Sequence, residues 1–219
     1  MPDAPDRPFE DIQPDVPPRK RPKPGERRVQ ILQALAGMLE QPGGERITTA
    51  ALAARLGVSE AALYRHFASK AQMFEGLIEF IEQSVFSLVN QIVEREQLAS
   101  PDAPDLGTRQ SARVLAMVVQ FAEKNPGMAR VMVGDALVFE NERLQQRMNQ
   151  FFDRIESTLK QCLRDAIATQ TSATPTVDAQ VRASVLVAFA VGLLQRFVRS
   201  GFKRLPSDRL DESLRLILG

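Results

Sequence analysis

The sequence has few of the residues on which many enzymes and metal proteins depend. Among 219 residues there is one cysteine, Cys162, and one histidine, His66. A single cysteine excludes an intramolecular disulfide, and one histidine beside it is too few for a Cys/His zinc site. The sequence also lacks a Gly-rich phosphate loop and an H-E-x-x-H pattern, so catalysis would have to rely on carboxylates and lysines alone. We therefore expect a protein that is not an enzyme and holds no metal or cofactor.

Long apolar runs are missing as well. No stretch reaches the ~18 uninterrupted apolar residues of a membrane span. The nearest candidate, ASVLVAFAVGLL at 183–194, is flanked by Arg182 and Arg196, which predicts a buried helix. The N-terminal residues have no apolar segment after their charges, which argues against a secretory signal. We expect the protein to be cytoplasmic.

Proline and charge are concentrated near the N-terminus, although the formal net charge of the chain is only +1. Residues 1–24 contain eight prolines, and residues 19–28, RKRPKPGERR, carry six basic residues against one glutamate. Because these prolines disfavour a helix or a central strand, we expect a disordered, Pro-rich and basic arm over residues 1–24. The arm is either a solvated tail or an extension that contacts phosphates.

Beyond residue 24 the apolar residues recur with helical spacing and no useful stretch alternates with period two, which predicts an all-α fold of about nine helices. The first four are expected from Glu26 to the QPGG sequence, over 49–56, from Ser59 to about 67, and from Ser69 to about 97. Further helices are expected over 107–124, 128–133, 141–168 and 177–200, and from about 207. Loops are expected at 99–105 and 169–176.

A helix-turn-helix arrangement is indicated by residues 48–67, TTAALAARLGVSEAALYRHF. Ala53 allows two steeply crossing helices to approach each other, and Gly57 tolerates the positive φ of a tight turn. Ser59 can cap the second helix, whose first turn then carries only small side chains at Ala61 and Ala62. Such a slim helix end can approach base edges in the major groove of DNA.

Polar side chains around this helix end are suited to phosphate contacts. Taken singly, each has an ordinary structural explanation as a helix cap, a cover for the core or a solvated group. Their position on one presented face favours DNA binding, and a DNA-binding domain would in turn favour a phosphate-binding role for the basic arm. These side chains are Thr48, Thr49, Tyr64, Arg65, His66 and Lys70.

Residues 46–77, RITTAALAARLGVSEAALYRHFASKAQMFEGL, resemble the DNA-binding domain of the TetR family, whose hallmark corresponds to the segment from Leu63 to Lys70. The resemblance implies a homodimer that binds palindromic DNA. It also implies a helix-turn-helix domain at 25–72 and a helical dimerisation and partner-binding domain at 73–219. The resemblance also implies which residues contact DNA, and we add Arg65 to them because it lies between two of them. The positions that match the family's DNA contacts are Thr48, Thr49, Ser59, Ala61, Ala62, Tyr64, His66 and Lys70.

Segments outside that motif resemble the branch of the family that acts in nucleoid occlusion, notably residues 123–156 and 195–203, within a likeness that covers about 25–206. This resemblance implies a nucleoid-associated protein, with one or two dimers to a site, that inhibits assembly of the division protein FtsZ. The FtsZ tail is expected between the fourth and fifth helices, where Phe80 and Asn125 match and Lys124 keeps a basic charge. Leu88 departs from the pattern, because the relatives are basic there.

The second half of the chain leaves two interpretations open. Residues 177–202 are apolar on nearly all sides, which predicts a helix that packs on the core and on a partner subunit, with Gly192 permitting close approach. With the helix at 141–168 it would form a four-helix dimer interface; a central core helix is the alternative. The runner-up function is a ligand-released repressor, whose cavity would be lined by Met117, Phe121, Met128 or Phe152. Ordinary packing also explains these side chains, and Cys162 is expected to be inert packing.

Overall fold

The computed structural model describes residues 25–42, 44–168 and 174–219, and within them the chain forms nine α-helices and no strand. The all-α prediction is confirmed. The arm at 1–24 and residues 169–173 of the expected loop lie outside the described residues. Two short 3₁₀ turns, Gly44–Arg46 and Asp135–Leu137, accompany the helices. The helices are α1 Glu26–Leu39, α2 Thr49–Leu56, α3 Glu60–Tyr64, α4 Lys70–Ala99, α5 Leu106–Lys124, α6 Pro126–Met132, α7 Glu142–Ala168, α8 Pro175–Arg199 and α9 Leu210–Leu218.

Three helix boundaries differ from the sequence prediction. α3 ends at Tyr64, and the carbonyl of Leu63 then accepts the amides of His66 and Phe67 in a turn. α6 begins at Pro126, because proline at the first helical position lacks only a donor that would have no helical partner. The last helix begins at Leu210 and not at Ser207, because Arg209 adopts a left-handed φ of 56°, which is not a helical conformation.

Local hydrogen bonds define the helix-turn-helix of α2 and α3. The hydroxyl of Thr48 accepts the Ala51 amide at 3.1 Å, and the hydroxyl of Ser59 accepts the Ala62 amide at 3.3 Å, so both helices start at capped residues. Gly57 ends α2 with a left-handed φ of 63°. The inward faces of the two helices are buried in the core that continues through α1 and α4.

The remaining helices form a second layer of packing above this domain. α4 and α5 run antiparallel, α7 packs along α8, and α5 lies against both α4 and α7. α8 is the single helix among the described residues that is long and apolar enough to cross a membrane. It instead packs along α7 and carries charged residues such as Arg182 and Arg196. The predicted domain boundary after residue 72 falls inside α4, which continues from one layer into the other.

Several contact regions join the helix-turn-helix domain to the layer above it, and two of them involve α6 and α7. In the first, α6 crosses α1 so closely that a Cβ atom built on Gly127 would lie 2.0 Å from the carbonyl oxygen of Ala36. In the second, α4 and α7 are joined by ion pairs between Glu75 and Arg143 and between Glu82 and Arg147. Hydrogen bonding to Glu82 raises the pKa of Arg147 above its ordinary value, so this guanidinium stays charged.

Candidate nucleic-acid interface

The N-terminal end of α3 is slim and exposed, as the sequence predicted. Ala61 is exposed and Ala62 half-buried, while Leu63 directly after them is buried and anchors the helix. Tyr64 is 45% exposed at the helix end, and Arg65 and His66 are exposed in the turn that follows. The N-terminal end of α3 therefore presents small side chains that could approach base edges, and exposed polar side chains follow at its C-terminal end.

The hydroxyl groups near α3 differ in whether their protons are free to form a further hydrogen bond. Thr48 and Ser59 use their oxygens only as acceptors for helix-capping amides, which leaves each hydroxyl proton available for a phosphate oxygen. Thr49 instead donates its proton to the Glu60 carboxylate at 2.6 Å and accepts from the Tyr64 hydroxyl at 3.4 Å. A phosphate contact by Thr49 would require Glu60 to move away first.

Lys70, at the first position of α4, already has an anionic partner within the protein. Its Nζ atom lies 2.5 Å from Oε1 of Glu140, whose side chain is only 9% exposed. Glu140 follows the 3₁₀ turn at Asp135–Leu137, and the neighbouring Phe139 packs under the guanidinium of Arg46 at 5.1 Å. The carboxylate thus already neutralises the ammonium group of Lys70.

Replacing Glu140 with glutamine is expected to strengthen DNA binding, because it removes the carboxylate that neutralises Lys70. The slope of log affinity against log salt should steepen by up to about 0.9, the contribution of one additional phosphate contact. Titration of a labelled duplex at several salt concentrations measures this slope. Glu142→Gln makes the same charge change two residues away at an exposed position and serves as the control. An unchanged slope together with an unchanged affinity in Glu140→Gln would mean that Glu140 does not compete with DNA for Lys70.

Arg28 makes a long-range contact at the end of α3 that the sequence did not reveal. It is one of the six basic residues at 19–28, and its Nη1 donates to the carbonyl of His66 at 2.8 Å while its guanidinium stacks 4.1 Å from the centroid of Phe67. These contacts fix the end of α3 against the start of α1. The two partners are 38 residues apart, so no local spacing could indicate the contact.

The second predicted site lies where α4 and α5 run side by side. Near their connecting loop, Glu96 pairs with Arg109, and Gln110 donates to the carbonyl of Val93. Continuing this antiparallel register along both helices brings Phe80 level with Asn125. Phe80 is 49% exposed, whereas the amide of Asn125 donates to the carbonyl of Phe121 at 2.7 Å.

The remaining predicted residues near this site differ in exposure. Lys124 is exposed at the end of α5. Leu88, two helical turns beyond Phe80 on α4, is 40% exposed. The α4–α5 surface therefore presents apolar side chains on one helix and a basic residue at the end of the other.

The residues predicted to line a ligand cavity, Met117, Phe121, Met128 and Phe152, are partly buried and pack against the core. A cleft of about 760 Å³ lies between α6, α7 and α8, and of the four predicted side chains only Phe152 lines it. Its other walls include charged and amide groups such as Asp135, Asp153 and Gln195. Cys162 is buried on α7. No group of three or more His, Cys, Asp and Glu residues suited to a metal ion occurs in the part of the chain that the structure describes.

Comparison with known families covers both layers of the molecule. Residues 31–77 match the family described as bacterial regulatory proteins, tetR family. Residues 108–218 match the SlmA-like domain described as tetracyclin repressor-like, C-terminal domain. Together with the helix-turn-helix geometry, these matches define a DNA-binding regulator of the TetR class.

Individual relatives indicate which members of the TetR class this chain resembles. The nucleoid occlusion factor SlmA of Idiomarina loihiensis is 50% identical over 185 residues, which are 84% of this chain and 90% of the relative. The protein of the same name from Vibrio cholerae is 51% identical over 188 residues, 85% of this chain and 91% of the relative. The chain belongs to the TetR family and, within it, to the family of the nucleoid occlusion factor SlmA.

Solved structures agree on the fold. The transcriptional regulator FadR from Bacillus subtilis, in complex with stearoyl-CoA, superposes with a TM-score of 0.67 at 16% identity, covering 87% of this chain and 97% of FadR. PfmR from Thermus thermophilus, a TetR family regulator, gives 0.65 at 18% identity, covering 87% of this chain and 95% of PfmR. At such low identity the likeness establishes the shared architecture alone.

Proposed function

We propose that the protein is a nucleoid occlusion factor that binds palindromic chromosomal sites as a homodimer and, when bound to DNA, inhibits FtsZ assembly. The identity of about 50% to relatives named nucleoid occlusion factor, over more than four fifths of this chain, is the observation that supports this most strongly. The function is one of binding and not of catalysis. It is exerted in the cytoplasm, at the nucleoid.

DNA binding would use the slim end of α3. Ala61 and Ala62 approach base edges in the major groove, and Ser59 and Thr48 donate to phosphates on either side. Tyr64, Arg65, His66 and Lys70 would contact the backbone behind them, and Thr49 would join once its bond to Glu60 is released. The basic residues of the arm at 1–24 would add salt-sensitive affinity.

Dimerisation would use an apolar stripe on α8. Val177, Val181 and Val185 are 57%, 56% and 47% exposed, and their spacing of four residues places them on one face of the helix. A face of this kind is stabilised when a second copy covers it, and half-buried Gly192 leaves room for a close approach. A two-fold dimer also matches the palindromic sites that helix-turn-helix proteins bind, with half-sites about 34 Å apart.

The FtsZ tail would bind along the α4–α5 surface. Phe80 offers an apolar anchor, Lys124 offers a charge for acidic residues of the tail, and the amide group of Asn125 offers further hydrogen bonding. Leu88 makes the far end of this surface apolar. DNA phosphates that draw Lys70 away from Glu140 would loosen a contact at the start of the same helix, α4, which supports coupling by a shift between two arrangements.

Changing Phe80 to alanine is expected to leave DNA affinity within about twofold while weakening FtsZ antagonism by at least about tenfold, since an aromatic anchor that becomes buried on binding contributes about 2 kcal/mol or more. Light scattering of FtsZ polymers with DNA-bound protein measures the second activity, and fluorescence anisotropy of a labelled duplex measures the first. Leu98→Ala, at an 84% exposed position near the other end of α4, is the control. Equal loss of both activities in Phe80→Ala would argue against a separate partner site.

A genome-wide map of the protein on its own chromosome tests the function as a whole. Many palindromic sites spread over the chromosome and sparse near the replication terminus would support nucleoid occlusion. One or two sites at promoters would instead support the ligand-released repressor, for which the cleft between α6, α7 and α8 would be the place to seek a ligand.

A further inference from the structure

Five exposed basic side chains surround the end of α8, in a segment that we call the basic turn, residues 196–209. The only acidic residue in this segment is Asp208. Within the described parts of the chain, no carboxylate lies within ion-pair distance of any of the five, whereas Arg109, Arg143 and Arg147 in the same layer are each paired with a glutamate. The five are Arg196, Arg199, Lys203, Arg204 and Arg209.

The basic turn is held in a fixed conformation. Gly201 and Phe202 both adopt left-handed φ angles, of 62° and 65°, which reverse the chain directly after α8. The Ser200 hydroxyl oxygen accepts the amides of Lys203 at 3.1 Å and Arg204 at 2.9 Å. A left-handed phenylalanine costs on the order of 1 kcal/mol or more, so the surrounding contacts must impose it.

Aromatic packing supplies part of that constraint. The Phe202 ring lies 5.2 Å from the ring of Phe197 in an edge-to-face arrangement and 5.3 Å from the guanidinium of Arg130. At the far end of the turn, the Ser207 amide donates to Oε2 of Glu123 at 3.2 Å. The backbone is therefore fixed at both ends while the charged side chains remain exposed.

The position of the basic turn points toward the helix-turn-helix domain. Glu123 lies next to the junction of α5 with α6, and Arg130 belongs to α6, the helix that crosses α1 at Gly127. Arg130 also faces Asp135 of the 3₁₀ turn, five residues before Glu140, the partner of Lys70. The backbone of the basic turn thus lies on the side of the upper layer that meets the DNA-binding domain.

We propose that the basic turn is a second DNA-binding surface, which contacts phosphates of the same duplex beyond the segment read by α3. This inference rests on the proposed DNA binding and adds contacts from outside the helix-turn-helix. Unpaired cations on a fixed backbone suit phosphate oxygens, which are recognised by charge without regard to base sequence. An anionic membrane would be bound most strongly by a surface that also has several exposed apolar side chains, and within the turn Leu205 alone is a large exposed one.

The double variant Lys203→Gln with Arg204→Gln tests this surface. Only the backbone amides of these residues take part in the turn, so the fold should be retained. The probe is a labelled mixed-sequence duplex of roughly four helical turns, about 40 base pairs. The slope of log affinity against log salt should become shallower by about 1.8, the contribution of two lost phosphate contacts. The control, Arg95→Gln with Arg215→Gln, removes two exposed cations on α4 and α9 and should leave the slope unchanged.

The possible results distinguish a failure of the second surface from a failure of DNA binding as a whole. A slope that is unchanged in Lys203→Gln with Arg204→Gln while the wild type binds DNA would overturn the second surface and leave the proposed function standing. Wild-type protein that fails to bind the duplex even at low salt would overturn both. Loss of binding to phosphatidylglycerol vesicles with an unchanged DNA slope would assign the turn to lipid and also overturn the proposal.

Discussion

Replacing Gly127 with alanine is expected to lower the free energy of unfolding by about 3 kcal/mol, at the upper end of the usual cost of overpacking. The new Cβ atom would lie 2.0 Å from the Ala36 carbonyl oxygen and 2.9 Å from its carbonyl carbon, and backbone atoms cannot rotate out of the way. α6 must therefore move off α1, which weakens one of the contacts between the helix-turn-helix domain and the layer above. Denaturant unfolding followed by circular dichroism measures the change.

Gly37→Ala provides the matched control for this prediction. Gly37 lies on α1 beside Ala36, and its added Cβ would meet only the flexible end of Arg55, at 3.5 Å. Alanine is the better helix former, so this variant should gain about 0.5–1 kcal/mol if the site accepts it without strain. Stability of Gly127→Ala equal to that of Gly37→Ala would mean that the α1–α6 crossing relaxes freely and does not join the two layers.

Introducing glutamate at Ala61 is expected to reduce DNA affinity by at least about 100-fold. The longer side chain would block the slim end of α3 from the groove, and its charge would repel phosphates in both half-sites of a dimer. Losing base contacts worth about 1–3 kcal/mol in each half-site accounts for this magnitude. Because Ala61 is exposed, the unfolding free energy should change by less than about 0.5 kcal/mol. Anisotropy titration with a genomic site from the chromosomal map measures the affinity.

Gln97→Glu controls for a general effect of added negative charge. It adds the same charge at an exposed position near the far end of α4, so a general charge effect on DNA binding would appear in this variant too. We expect its affinity to remain within about twofold of the wild type. Retained affinity in Ala61→Glu would show that α3 does not enter the groove by its N-terminal end.

The helix-turn-helix could be predicted from the sequence because its determinants are local. The hydroxyl of Thr48 caps α2 by accepting the amide three residues later in the chain, and the hydroxyl of Ser59 caps α3 in the same way. Gly57 takes the left-handed conformation that the tight turn needs. Each of these contacts spans only a few residues, so the order of residue types carries the information. The all-α class followed from apolar spacing for the same reason.

Long-range pairings could not be predicted in this way. Lys70 matches a phosphate contact by motif, but the sequence gives no sign that Glu140, 70 residues later, already holds its ammonium group. Thr49 likewise matches a phosphate donor, although Glu60 takes its proton. On α8 the apolar pattern predicted two buried sides, and only the packing of other helices against α8 decides that Leu186 is buried while Val185 is exposed. Such partners depend on how helices cross, which no local spacing specifies.

The continuous run of α4 through both layers limits how far a DNA-induced movement can reach the partner surface. Its 30 residues extend about 45 Å at 1.5 Å per residue. A rigid tilt of about 5° around the DNA-proximal end would shift the far end near Ala99 by about 4 Å, but Phe80, roughly 15 Å from the pivot, by little more than about 1 Å. A tilt alone would therefore alter the angle of the α4–α5 surface more than its position, and the connection at 100–105 would undergo the larger displacement.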